Sequence, residues 1–209
     1  MIDKICSFLT RKIRKEMPEV DDERAEIIDY GLHLVIGELP KTFIVLGVAY
    51  LLGVFKLTLL AVVLLLPYKT VSGGFHLKTH IGCIVATTLF YCGMTKISCY
   101  IIFHNQILKY IIALSVWIFG MIMTHWYAPA DTVNVPILRK KERKQKKILS
   151  YIFLSVALLA ACFIQNDVIS NMLIFGHFLQ TLTTTRLAYK ITKNEYGYEV
   201  YNEQNALNT

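Results

Sequence analysis

The sequence predicts an all-α, polytopic helical membrane protein with about six membrane segments and an N-terminal amphipathic helix. Three observations carry that reading. Of the 209 residues 55% are hydrophobic and only 18% are charged, with a mean hydropathy of +0.46, which is too apolar for an ordinary soluble domain. Apolar runs recur along the chain, several of them near the roughly 20 residues needed to cross a bilayer. The basic residues collect at the ends of those runs, as the positive-inside rule requires. The net charge of +7 therefore needs no nucleic-acid partner. No cleavable signal peptide is expected, because the first sixteen residues are densely charged. One domain, 1–209, is expected.

In chain order, residues 1–16 place Ile2, Ile5, Phe8, Leu9 and Ile13 at helical spacing among Lys4, Arg11, Lys12, Arg14 and Lys15. That pattern suits a helix on an anionic membrane surface or one packed on its own protein. Asp21, Asp22 and Glu23 then open a second helix, expected to reach about Gly37. Together these form an interfacial region, 1–40. Apolar runs follow at 43–55 and 57–66, separated by Lys56, and then at 84–103, 107–127, 148–164 and 168–189. A lysine at mid-bilayer is costly, so the first two runs read as separate limbs, the first starting back near Leu32. The loop 128–147 holds Pro129, Pro136 and a run of seven cations in the nine residues 139–147, which begins the next helix. The tail, 190–209, is polar and expected to be partly disordered.

With six segments, the N-terminal region, the stretch 67–83, the loop 128–147 and the tail share one side and carry 19 of the 22 Lys/Arg. The expected localisation is therefore the cell membrane, multi-pass, with both termini and the 67–83 stretch cytoplasmic. The five cysteines are odd in number and show no CxxC spacing, so reduced thiols are expected.

The candidate site is the stretch 67–83, the one polar, glycine-containing passage between long apolar runs. Ser72-Gly73-Gly74 reads as a break followed by a helix start near Phe75. On such a helix His76 and Cys83, seven residues apart, fall within roughly 20° of one face but about 10 Å apart along the axis. They meet only if the helix starts later or bends. A thiol whose charge is favoured by an imidazolium is a nucleophile, and the N–H groups after Gly73-Gly74 are candidate oxyanion donors. Three other readings stay open. His76, His80 and Cys83 at i, i+4 and i+7 form a zinc pattern on one helix, although Leu77 stands where a zinc peptidase carries its glutamate. They are also compatible with a polar lining in a non-enzymatic transport or interaction protein, or with ordinary interfacial residues. His33, His104, His125 and His177 read as local hydrogen-bonding residues.

A basic residue, Lys69, followed by Ser-Gly-Gly-Phe-His, six residues and Cys83 before a membrane helix, resembles the accessory gene regulator protein B (AgrB) family. So do Ala128-Pro129-x-Asp131-x-x-Asn134-x-Pro136-Ile137 before a basic run, and the total length. Lys69 stands where the family often has arginine, and Val135 where it has lysine. The resemblance implies a membrane-embedded cysteine endopeptidase that removes the C-terminal tail of a small AgrD-like quorum-sensing propeptide. It implies His76 and Cys83 as the catalytic pair, a thioester on Cys83, and closure of a thiolactone by a cysteine of the propeptide. Lys69, Ser72, Gly73, Gly74 and Asn134 are the expected supporting residues. Arg139, Lys140, Arg143 and Lys144 are candidates to capture an acidic propeptide tail. No cofactor is expected. Membrane lipids are expected partners, and a homodimer is compatible with the sequence.

Overall fold

Large apolar side chains point outward over most of this molecule, and small or hydroxyl-bearing ones point inward. The computed structural model describes residues 2–207 apart from 18, 78, 102, 104, 134 and 135, and leaves undescribed the side chains of residues 2–4, 23, 26, 27, 30, 33, 34, 38, 80 and 207. Among the described residues there is no strand, and the fold is all-α. The helices are α1 (Ile2–Glu16), α2 (Asp22–Leu51), α3 (Phe55–Ser72), α4 (His80–Thr88), α5 (Met94–Tyr100), α6 (Gln106–Tyr127), α7 (Lys140–Phe163), α8 (Asp167–Leu182), α9 (Arg186–Ile191) and α10 (Gly197–Leu207), with one π-helical turn at Leu89–Gly93 between α4 and α5.

Among the described residues, four helical stretches are long and apolar enough to cross a membrane: Phe55–Ser72, Ile81–Tyr100, Gln106–Tyr127 and Lys140–Phe163. Their surfaces say the same. Ile107, Ile111, Leu114, Ile118 and Ile122 are exposed on α6, and Ile148, Ile152, Val156, Leu159 and Phe163 on α7. Inward face Thr58, Ala61, Ser72, Thr95, Ser98, Ala113, Thr124, Ser150, Ala161 and Ser170. With lipid as the outer solvent, burying leucine gains little, so small residues that let helices approach, and hydroxyls that bond across them, share the interior with Leu65, Leu154, Met172 and Ile174.

Helix α8 is the hub, packed against α3, α5, α6 and α7. Gly176 at its middle allows this, since a Cβ there would lie 2.8 Å from both terminal methyls of Leu65 and 2.9 Å from Met94 Sδ. Polar bonds pin the neighbours: Ser170 Oγ donates to Ala161 O at 2.7 Å, Trp117 Nε1 to Ser155 Oγ at 2.9 Å, and Asn171 Nδ2 to Ile101 O at 2.6 Å. Lys109, 1% exposed, donates to Ile164 O at 3.1 Å and lies 4.0 Å from Asp167 Oδ1, which is how a buried ammonium on α6 finds partners.

Several expectations meet their outcome here. The separation of two limbs near Lys56 holds: the chain turns at Leu52–Val54, with Gly53 at φ 71, and Lys56 is exposed in the first turn of α3. The second helix does not end at Gly37 but continues through Pro40 to Leu51. Helix α3 likewise runs through Pro67 to Ser72, so only the part of the 67–83 stretch after Ser72 is non-helical before α4. The expected run 168–189 is broken: α8 stops at Leu182, because Thr183, Thr184 and Thr185 turn their hydroxyls onto the carbonyls of Gln180, Thr181 and Leu182 at 2.7–2.8 Å. The tail folds as α9 and α10, with Tyr189 and Tyr196 buried. Its polarity suggested disorder, but tyrosines at its turns have a protein surface to cover. The expected count of six exceeds the four stretches named above; six crossings would require α2 and α8 to span as well.

Candidate functional site

At the end of α3 the chain is caught by three other segments. Gly73 closes the helix, its N–H donating to Lys69 O at 3.0 Å, and takes φ 72. Ala130 N then donates to Ser72 O at 2.8 Å, and Gly74 N to Ala130 O at 2.9 Å, a single parallel bridge to the loop after α6. A Cβ on Gly73 would stand 2.2 Å from Ala130 O, and one on Gly74, at φ 148, would stand 2.6 Å from Thr183 Oγ1. Both conformation and space therefore demand glycine. From α8, Gln180 Nε2 donates to Gly73 O at 2.8 Å and to Ser72 Oγ at 3.4 Å, and Thr183 O accepts from Phe75 N at 3.3 Å. From the tail, Asn194 Nδ2 donates to His76 O at 2.8 Å.

These bonds hold residues 73–77 outside any helix, so the helix starts later than Phe75. Thr79 is its N-cap, accepting from Gly82 N at 3.2 Å through its hydroxyl, while its carbonyl accepts from Cys83 N at 3.0 Å. Threonine at that position satisfies a helix-end donor that would otherwise be unpaired. His76 is thus an exposed residue on the non-helical approach, and Cys83 is half-buried in the first turn of α4. A shared helix face for the two is not what the structure has; the later start is.

The loop 128–137 is itself clamped. Asp131 Oδ2 accepts from Ile137 N and from Arg143 Nη1, each at 2.9 Å, and the guanidinium lies 4.2 Å over the Tyr198 ring. Tyr189 OH donates to Asp131 O at 2.9 Å, and Tyr196 OH to Thr184 O at 2.7 Å. The two tyrosine rings stack 4.1 Å apart at 3°. Burial first, and then the neighbouring ring and the charge of Asp131, push the Tyr189 phenol well above the usual range, and burial does the same for Tyr196. Both hydroxyls stay protonated donors at any ordinary pH.

The family model for accessory gene regulator B matches residues 6–184. The chain belongs to the AgrB family. It is 28% identical to accessory gene regulator protein B of Staphylococcus epidermidis over 186 residues, covering 87% of this chain and 88% of that one. An AgrB-like protein of Listeria innocua is 26% identical over 191 residues, covering 90% and 91% of the two chains, and AgrB-like protein 2 of Clostridium perfringens is 30% identical over 171 residues, covering 75% and 76%. No solved structure matches. The family ties the chain to accessory gene regulator quorum sensing.

In this AgrB-family chain the expected site residues fall into three groups. Ser72, Gly73, Gly74, His76 and Cys83 belong to one continuous segment, with Lys69 one turn back on α3, its ammonium 5.6 Å over the Tyr91 ring. The N–H groups of Gly73, Gly74 and Phe75 are already bonded to Lys69 O, Ala130 O and Thr183 O, so Phe75, the first of the oxyanion donors expected after Gly73-Gly74, is taken. Arg143 is committed to Asp131 and Tyr198, whereas Lys140 and Lys144 are exposed at the start of α7, next to its exposed N-cap residue Arg139. Asn134 and the His80 side chain lie outside the described residues. Among the described residues no three His, Cys, Asp or Glu side chains are placed to hold a metal. All five cysteines are thiols. His125 Nδ1 lies 3.2 Å from Tyr151 OH, and His177, buried, stacks on Tyr68 at 5.2 Å with Nδ1 2.8 Å from Leu173 O, so both serve local bonding as expected.

Sequence reasoning missed Gln180, Thr183, Asn194, Tyr189 and Tyr196. A signal existed for Gln180, a polar amide in the last turn of an apolar helix just before a threonine cluster. For the tail, the signal was tyrosine recurring in a segment otherwise too polar to need it.

Proposed function

We propose that this AgrB-family protein is a membrane-embedded cysteine endopeptidase acting on a small AgrD-like propeptide, with Cys83 as nucleophile and His76 as base. The observation that carries the reading is the position of Cys83 in the first turn of a helix capped by Thr79, downstream of an anchored non-helical segment bearing His76. Helix side chains lean toward the N-terminus, and that end carries partial positive charge that favours a thiolate.

His76 takes the proton of the Cys83 thiol, and the sulfur attacks the carbonyl carbon of the scissile peptide. Because the N–H groups of residues 73–75 are engaged and those of Gly82 and Cys83 are taken by Thr79, the N–H groups of α4 before Gly82 receive the oxyanion, since a helix start offers donors with no intrahelical acceptor. Collapse breaks the C–N bond, the leaving amine of the C-terminal tail takes the proton from His76, and the N-terminal part stays as a thioester on Cys83. A propeptide thiol then attacks that thioester, closing a thiolactone and returning the proton to Cys83. Exchange of one thioester for another is nearly even in energy, whereas hydrolysis would discard the acyl activation.

Arg139, Lys140 and Lys144 steer the acidic part of the substrate, and Arg143 is left to hold the loop. The site faces the cytoplasm and the protein resides in the cell membrane, in keeping with the charge distribution. The test is mass spectrometry of purified protein mixed with its propeptide: the N-terminal fragment should appear as an acyl adduct on Cys83. Alkylation should abolish cleavage while chelators spare it, and His80→Ala should keep substantial activity where His76→Ala loses it. Chelator sensitivity with loss in His80→Ala would favour zinc, and full cleavage by Cys83→Ala would leave a non-enzymatic role.

A further inference from the structure

The family match ends at residue 184, yet the chain beyond it is built onto the candidate catalytic stretch. Thr185 caps α9 through a bond from Ala188 N at 3.3 Å, and Tyr189, 2% exposed, reaches back to Asp131 O. After α9 the backbone doubles back: Lys193 takes φ 54, and Asn194 N donates to Tyr189 O at 2.9 Å. The chain then re-enters the protein at Tyr196, whose ring stacks on Tyr189. At Gly197 it approaches Thr132 O so closely that a Cβ would stand 2.3 Å away. The loop 128–132 is thus held from one side by Ser72–Gly74 and from the other by the tail.

Asn194 sits at the turn between the two tyrosines. Its Nδ2 donates to His76 O at 2.8 Å and is steadied by Thr192 Oγ1 at 2.9 Å and Thr192 O at 3.3 Å. The matter is one of placement. His76 belongs to no helix and its side chain is exposed, so packing does not fix where the imidazole stands. Main-chain anchors do: Phe75 N on Thr183 O just before it, the Thr79 cap just after it, and the Asn194 amide on His76 itself. A base works only within hydrogen-bond reach of its proton, and an error of about 1 Å can cost on the order of 100-fold.

We propose that Asn194 is a positioning residue for His76, and that residues 185–207, beyond the segment the family model matches, form a clasp that completes the site. This rests on the reading of His76 and Cys83 as base and nucleophile. The prediction is that loss of the amide donor detunes the thiol at Cys83, over 100 positions away in sequence.

The test uses the purified full-length protein and iodoacetamide. Carboxamidomethylation of Cys83 is read by peptide mass spectrometry from pH 5 to 9. His76→Ala should slow the reaction about tenfold at pH 6, because the imidazolium that favours the thiolate is gone. Asn194→Ala and Asn194→Asp should each slow it severalfold at pH 6 and converge with the wild type at pH 9, where the thiolate forms unaided. Aspartate keeps the size of asparagine but has no N–H to give. Cys92, 3% exposed, reports folding in the same digest, since it reacts only if the helices part. If both Asn194 variants open Cys92, the residue serves folding and the proposal is overturned. If both keep the wild-type profile while His76→Ala shifts it, the positioning role is overturned and the peptidase reading stands. An unchanged profile in His76→Ala removes the pair itself, and both ideas go with it.

Discussion

Arg143 and Asp131 meet at 2.9 Å, with the carboxylate side chain fully buried and the guanidinium still 22% exposed and laid over Tyr198. The pair joins the loop after α6 to the start of α7 and, through the aromatic ring, to α10. Breaking one half of a buried pair strands the other charge, which costs about 3 kcal/mol or more. Arg143→Gln should therefore lower the thermal midpoint of the detergent-solubilised protein by several degrees. Lys140→Gln and Lys144→Gln, exposed neighbours in the same basic run, should each change stability by less than about 0.5 kcal/mol. Equal effects from all three would remove the structural distinction drawn for Arg143.

Arg139, Lys140 and Lys144 are expected to act on substrate. Exposed charges are screened within about 8–10 Å at physiological salt, so they steer rather than hold tightly. Neutralising Arg139, Lys140 and Lys144 to glutamine should raise KM with little change in kcat, the signature of lost uniform binding. Wild-type cleavage at low substrate should fall with added salt. An unchanged KM and salt dependence in the triple variant would leave the run as an orientation signal.

Gly73→Ala should be among the most damaging single-methyl changes in the chain. At φ 72 with Ala130 O 2.2 Å from the new Cβ, it should cost at least about 2 kcal/mol and open the bridge to Ala130. Gly47→Ala, within α2 with nothing inside 4 Å of its Cβ, should leave stability unchanged or raise it by up to about 1 kcal/mol. Thermal unfolding of the two variants side by side decides it.

The proposed orientation is checked by labelling intact cells with an impermeant thiol reagent. Cysteines introduced at Asn105 and Asn166, the N-caps of α6 and α8, should react from outside, and one at Gln145 should not. Reaction at position 145 would overturn the six-segment arrangement.

Much of this protein was legible in the residues taken in order. Membrane helices announce themselves by length and composition, because lipid forces each segment to satisfy its own backbone. The limb boundary near Lys56, the break at Gly73 and the reduced thiols follow from equally local rules. Helix ends were less legible. The second helix was expected to end near Gly37 and the polar stretch to begin at Pro67, yet Pro40 and Pro67 both sit inside helices, since neighbours in a bundle tolerate a lost bond that an isolated helix would not.

What the sequence by itself determined is the all-α membrane class and the stretch that carries His76 and Cys83, because hydrophobicity, glycine and charge act on their near neighbours. What only the tertiary structure decided is where that stretch is held. The bonds from Ala130, Thr183, Gln180 and Asn194 come from segments 56 to 118 positions distant. They delay the helix start from Phe75 to His80 and draw the polar tail into the site. An amide or carbonyl in sequence carries no mark of which distant partner it will meet; that is fixed only when packing of α8 against its neighbours brings the tail to the segment after α3.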